Sequence, residues 1–198
     1  MARRALLYDT QVNVVDLFFH HDPDSVAFIC DGESQTYGQL ASRVATGRAE
    51  LATLAKAGSN IVVMGESSLL FIETLFAALS AGLAVVPLHP RYPKGEVERA
   101  VQLARPVLII STDEASRTLV EGLGIDYLPA DALFSDTSSA PIAPLELEPE
   151  HPALLMFTSG TAGSPRIAVL SHGNVAASIE QTRGSAPGLA DQSHVILG

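Results

Sequence analysis

The sequence predicts an α/β fold in which a largely parallel sheet is covered by helices. Short apolar runs, NIVVMG at 60–65, LAVVPL at 83–88 and PVLIIS at 106–111, carry no polar face. Runs that are apolar on both sides are characteristic of strands buried between two layers. Stretches of helical periodicity separate these runs, and glycines such as Gly58 and Gly82 close the helices. Strands alternating with helices in this way argue for a parallel sheet with helices on both faces.

In chain order, Leu17, Phe18 and Phe19 suggest the apolar side of an early helix. SVAFIC at 25–30 reads as a strand and Asp31-Gly32 as a turn. Thr36 and Gln39 have the spacing of a capping box, with a hydroxyl at the cap and an amide three residues on. Leu40, Val44, Leu51 and Leu54 then recur at helical spacing up to the stop at Gly58. After the strand at 60–65, Ser67 or Ser68 caps a helix running to about Ala81. That helix is apolar almost all round, so it needs cover on more than one side. A helix over 94–104 follows the strand at 83–88, and a further short strand is expected at 125–128. Residues 135–150, SDTSSAPIAPLELEPE, are rich in proline and acid and read as a surface connection. This divides the chain into an α/β subdomain at 1–134, the connection, and a segment at 151–198. The last segment holds the strand HPALLMF, a polar loop, the strand IAVLS, and a helix with Ser171 as its cap. The apolar run HVILG at 194–198 looks like a strand cut from a larger fold.

Bulk properties exclude several functions. The chain has 198 residues, 47% apolar and 17% charged, which suits a packed globular protein. Its formal charge is −10 and its basic residues form no patch beyond Arg3-Arg4, which argues against nucleic-acid binding. Any anion must be held by local donors, since the overall field repels it. Cys30 is the single cysteine, so no internal disulfide can form, and a cytoplasmic location is the simple expectation. The apolar stretch at 69–88 has the length of a membrane span, but Glu73, Thr74, Ser80, Gly82 and Pro87 interrupt it. No transmembrane segment is expected.

The polar loop TSGTAGSPR, from Thr158 to Arg166, is the chemical feature. Gly160 and Gly163 allow backbone N–H groups to converge on an anion. Thr158, Ser159, Thr161 and Ser164 add hydroxyl donors, and Arg166 adds a fork that matches phosphate oxygens. A Walker loop would need Gly-Lys-Ser/Thr leading into a helix, whereas this loop leads into a strand. On these residues alone, a phosphate cradle and an ordinary Gly/Ser hairpin both fit.

The longer stretch MFTSGTAGSPRIAVLSHGN resembles the signature phosphate loop of the adenylate-forming superfamily, which includes acyl-CoA synthetases, luciferases and peptide-synthetase adenylation domains. TYGQL and LFAALSAGLAVVPLHPRYP resemble two upstream elements of the same family. Ala162, Arg166 and Ile167 stand where that loop usually carries threonine, lysine and glycine. The resemblance implies the N-terminal part of the ligase large domain. It implies that Thr158, Ser159, Gly160, Thr161 and Gly163 cradle the β- and γ-phosphates of ATP, with Arg166 in the place of the loop lysine. It also implies activation of a small-molecule carboxylate to an acyl-adenylate, with Mg2+ held by residues outside this chain and coenzyme A as the acceptor. Fatty acids are the expected acids. The adenine- and Mg2+-binding Tyr-Gly-x-Thr-Glu element, the ribose-binding aspartate segment and the C-terminal domain with its lysine do not occur in the sequence. The missing C-terminal portion is therefore an expected partner, and the 198-residue chain alone is expected to be inactive. Two other readings stay open: a non-catalytic remnant, and a phosphate- or nucleotide-binding α/β protein.

Other residues invite function and have plainer readings. His20-His21 with Asp22 and Asp24 read as a polar loop rather than a metal site. Cys30 reads as a small core residue, Glu73 as a solvated or paired carboxylate, and Tyr37 as packing. His172 reads as a turn or capping residue rather than a general base.

Overall fold

A computed structural model of the chain describes residues 12–135, 145–158, 166–185 and 195–196. The six-stranded sheet is the frame. Its order is β6-β5-β3-β4-β7-β8. These strands span Asp126–Pro129, Leu108–Ser111, Asn60–Met64, Ala84–Leu88, Pro152–Thr158 and Arg166–Ser171. β3 runs parallel to both neighbours, with Val62 level with Val86 on one side and Ile109 on the other. β7 is parallel to β4, and β8 turns back antiparallel to β7. The strands at 151–171 therefore complete the same sheet as those at 60–129.

The strand pattern explains why the sheet is covered twice. Ile61, Val63, Val85 and Ile110 point into one core beneath α1 (Tyr37–Leu54) and α2 (Leu69–Ser80). Val62, Met64, Val86 and Ile109 point into the other, beneath α3 (Lys94–Ala104). Alternate residues of one strand thus feed opposite cores, and each fully buried side chain contributes about 1.5–3 kcal/mol. α2 is covered by α1 on one side and the sheet on the other, as its all-round apolar surface requires.

Caps fix the helix starts. Gln39 N–H donates to Thr36 Oγ1 at 3.2 Å, and Thr36 N–H donates to Gln39 Oε1 at 2.9 Å, so the expected capping box forms. Ser68 caps α2 by accepting from Phe71 N–H at 3.1 Å. Glu73, inside α2, is buried and paired. Arg43 Nε and Nη2 donate to its Oε2 at 2.9 and 2.7 Å, and Gln35 Nε2 donates to its Oε1. The Arg43 guanidinium also lies 4.0 Å from the centre of the Phe134 ring.

Several elements differ from the expectation. The early helix is one turn of 3-10 helix, Val14–Leu17, because Asn13 caps it and the polar His20–Asp22 stretch gives it nothing to continue on. β1 (Val26–Cys30) pairs with an unexpected β2 (Glu33–Thr36) across a turn in which Asp31 and Gly32 both have positive φ. α4 (Glu114–Val120) is also new. It starts at Asp113, whose Oδ1 accepts from Ser116 N–H at 2.7 Å. A second 3-10 helix, Ala130–Phe134, follows β6. Leu54 falls off the buried face of α1 and is 46% exposed. Cys30 is half-buried rather than a core residue, and its thiol is raised, by desolvation first and by Asp31 second. β9 (Val195–Ile196) pairs in parallel with β1 and forms a separate three-stranded sheet, β2-β1-β9. Much of the Pro/acid-rich connection, residues 136–144, lies outside the described residues. Among the described residues no helix is long and apolar enough to cross a membrane, and no group of His, Cys, Asp or Glu could hold a metal ion. His21 stacks on Tyr37, with ring centres 4.4 Å apart.

Candidate functional site

Parallel pairing decides where the polar loop lies. β7 pairs in parallel with β4 through Leu154 and Val85, so the end of β7 lies at the same sheet edge as the ends of β3, β4 and β5. Counting on from that pair brings Thr158 level with His89. Thr158 and Arg166 face each other as the last pair of the β7–β8 hairpin, and the loop spans the gap between them. Of the expected site residues, the structure places the backbones of Thr158 and Arg166 together at this carboxyl edge. Ser159, Gly160, Thr161 and Gly163 lie outside the described residues. Open parallel sheets bind ligands outside the carboxyl ends of their strands, which is where this loop stands.

Ile167, in a place where the family usually has glycine, is an ordinary strand residue. It pairs with Phe157 and packs against the second core. At Ile167 the chain is already extended β8 strand, which any residue adopts, so no glycine is required there.

A cavity of about 610 Å³ opens at the carboxyl edge, lined by Asp31, Glu66, Ser67, His89, Arg91 and Tyr92. Each wall has a reason to be where it is. Asp31 comes from the tight β1–β2 turn. Glu66 and Ser67 follow β3, where Glu66 N–H donates to Asp113 Oδ2 at 3.1 Å. That carboxylate therefore caps α4 with one oxygen and holds the β3–α2 connection with the other. Gly65 permits the close approach, since a Cβ there would lie 1.7 Å from Thr112 Oγ1. His89, Arg91 and Tyr92 form a turn after β4. Tyr92 N–H donates to His89 O and Arg91 N–H to His89 Nδ1, each at 3.0 Å. Among the described residues, the lining mixes two carboxylates, a guanidinium, an imidazole, a phenol and a hydroxyl, with no aliphatic side chain.

Sequence reasoning did not single out these residues. They come from three separate segments that only the fold brings together. The one signal was HPRYP, which stands at the end of the upstream stretch that resembles the family.

His172 belongs to the opposite edge. It begins α5 (His172–Ser185), after the far end of β8 from the loop. Five strand steps at about 3.4 Å separate the ends of β8 by about 17 Å, so His172 takes no part in chemistry at the loop. Ser171 is the cap, as expected: its Oγ accepts from Asn174 N–H, and its own N–H donates to Asn174 Oδ1, each at 3.1 Å.

Comparison with known proteins bears on this arrangement. The family model described as AMP-binding enzyme matches residues 17–197. The chain belongs to the AMP-binding enzyme family. It is 33% identical over 157 residues to feruloyl-CoA synthase of Amycolatopsis sp, covering 77% of this chain and 31% of that protein. It is 36% identical over 157 residues to tenellin synthetase of Beauveria bassiana, covering 74% of this chain and 4% of that protein. The crystal structure of the nonribosomal peptide synthetase FmoA3, in its α-methyl-L-serine-AMP-bound form, superposes with a TM-score of 0.77 at 25% identity, over 91% of this chain and 21% of that one. The chain thus spans less than a third of the length of these relatives. The fold is that of the N-terminal portion of adenylate-forming ligases.

Proposed function

We propose that this chain supplies the phosphate-holding half of an ATP-dependent carboxylate ligase. The observation that carries the reading is the β7–β8 hairpin, whose donor-rich loop stands at the carboxyl edge of a parallel sheet in a chain of the AMP-binding family.

In this reading the loop's residues bind and orient. Backbone N–H groups freed by Gly160 and Gly163 point at the β- and γ-phosphates, and Ser159 and Thr161 add hydroxyl donors. Arg166, at the base of the hairpin, places a permanent positive charge beside them. Bound ATP supplies the α-phosphorus that the substrate carboxylate oxygen attacks, with pyrophosphate leaving. The chain's contribution is positioning and charge stabilisation of the departing pyrophosphate rather than covalent catalysis. Hydrogen bonds to charged groups contribute about 1.5–3 kcal/mol each, so a few overcome the repulsion from a chain of net charge −10. The donor set suits phosphate oxygens, while the Mg2+ ligands belong to sequence outside this chain.

Within the same proposal the acid is a fatty acid, the acceptor is coenzyme A, and the site of action is the cytoplasm. MFTSGTAGSPR resembles acyl-CoA synthetases more than peptide-synthetase domains, which supports the acid and acceptor. The relatives named above are a feruloyl-CoA synthase and two synthetases, so the acid is the variable to scan first. The test is acid-dependent pyrophosphate release by the complete protein, over fatty, aromatic and amino acids. Gly163→Val and Arg166→Ala are expected to lower it about 100-fold or more, the loss seen when a preorganised donor is removed. Unchanged rates in both variants would remove the role given to the loop.

A further inference from the structure

The sheet edge opposite the loop holds a separate device. Residues 12–15 are pinned there by hydrogen bonds to three other parts of the chain, 79–80, 145–147 and His172. Val12 N–H donates to Leu147 O at 2.7 Å. Asn13 Nδ2 lies 3.2, 3.3 and 3.1 Å from the carbonyl oxygens of Leu79, Ser80 and Leu145. Val15 N–H donates to Asn13 Oδ1 at 3.2 Å, and Val14 N–H donates to His172 Nδ1 at 3.1 Å. Every acceptor in this set is an amide oxygen except the imidazole, which alone can take a proton between pH 4 and 8.

His172 is fully buried. Since Nδ1 accepts, the neutral ring carries its proton on Nε2, and Nε2 has no hydrogen-bond partner among the described residues. A second proton must therefore go to Nδ1. It would set an N–H against the N–H of Val14, abolish that bond, and leave a cation where nothing accepts from it. The surroundings offer no relief: Glu146, Glu148 and Glu150 of the packed 145–151 segment are exposed to solvent. From the turn before β7, His151 faces the ring with centres 6.0 Å apart, and its own Nε2 lies 2.9 Å from Gly82 O. On the 3-10 helix the one ionisable side chain is Asp16, whose carboxyl is raised by burial and which has His20, Arg48 and Glu146 around it. The end of α2 (residues 76–80) and the first two turns of α5 (173–179) carry no charged side chain.

We propose that His172 is a proton-sensitive latch, in which one proton on Nδ1 releases residues 12–15 from the start of α5. Burial, with His151 second, holds the imidazole down at about 4 against an ordinary 6.5. An open segment leaves the ring free to titrate near 6.5. The open-to-closed ratio therefore rises up to tenfold for each pH unit below 6.5, levels off near pH 4, and changes about 300-fold in all. Above pH 6.5 the latch is closed at full strength.

Amide hydrogen exchange on the 198-residue chain tests this, with rates corrected for the intrinsic pH dependence of exchange. Protection at Val14 is expected to fall about 300-fold between pH 6.5 and 4, while Ile61 and Val62 in β3 hold theirs. His172→Gln keeps an oxygen acceptor that does not titrate, so its Val14 profile should be flat. Constant Val14 protection in the wild type would overturn the latch. So would a fall shared with β3, or an equal fall in His172→Gln. If that variant does not fold, an NMR titration of the wild-type His172 ring decides instead. A midpoint near 4 with a matching shift of the Val14 amide supports the latch, and a midpoint near 6.5 with a still amide refutes it.

Discussion

The two edges of the six-stranded sheet are built on opposite plans. At the carboxyl edge the strands end in short turns around a polar cavity, and the β7–β8 hairpin turns at the same edge through Thr158 and Arg166. Among the described residues, the segments there are tied by Glu66 N–H to Asp113 Oδ2, Gly65 N–H to Leu88 O and Thr112 N–H to Met64 O. At the amino edge, residues 12–15, 145–151 and 172–173 are stitched together by buried backbone and side-chain bonds, with Asn13 and His172 at the centre. One strand, β8, joins the two, with Arg166 at one end and the start of α5 at the other. The difference predicts a division of labour: substitutions at the amino edge should act on stability, and substitutions at the carboxyl edge on the ligand proposed above. Adjacent letters in the sequence, such as the loop and His172, serve different ends of the molecule.

The largest effect on stability is expected at Asn13. Asn13→Ala removes the cap on Val15 and the side-chain donor that ties the Leu79, Ser80 and Leu145 carbonyls to residues 12–15. It should lower stability by about 3 kcal/mol in urea unfolding, and leave ATP affinity of the folded protein unchanged. Gly173→Ala comes next. Its Cβ would sit 2.9 Å from Pro149 O, which is held in place by accepting the Gly173 N–H at 2.8 Å. About 2 kcal/mol should be lost, again with no change in ligand affinity. A weaker ligand affinity in either variant would break the comparison.

Asp113→Ala sharpens it from the other side. The change removes the α4 cap and the tie to Glu66, so thermal unfolding should report a loss of about 1–2 kcal/mol. Since Glu66 and Ser67 line the cavity, binding should weaken as well. The smallest stability effect belongs to Val169→Lys, on the edge strand where Val169 is 56% exposed. Stability should stay within about 0.5 kcal/mol, and aggregation should fall, because β8 is an edge strand of the sheet among the described residues and the IAVL run carries no charge.

The central strands were legible because burial on both faces writes an unbroken apolar run, as in NIVVMG and LAVVPL. α1 and α2 were legible from their caps at Thr36 and Ser68. β2 was not, since ESQT has a single strand partner and exposes half its length. α4 is seven residues long, and only Asp113 with Ser116 three positions later announced it. The loop's composition was legible, but which sheet edge its hairpin reaches depends on β4 meeting β7 across a long sequence gap. The Val14–His172 bond joins residues 158 positions apart, and no local pattern encodes it. Local chemistry shows what a segment can bind or cap, and only tertiary pairing shows what it stands next to.

The most direct test of the central claim is saturable ATP binding to the 198-residue chain, measured beside the melting temperature for wild type, Gly163→Val and Arg166→Ala. The loop assignment predicts an affinity lowered at least about tenfold in each variant, one lost charged hydrogen bond's worth, with melting unchanged. Equal affinity in all three proteins, or no saturable binding by the wild type, would contradict it.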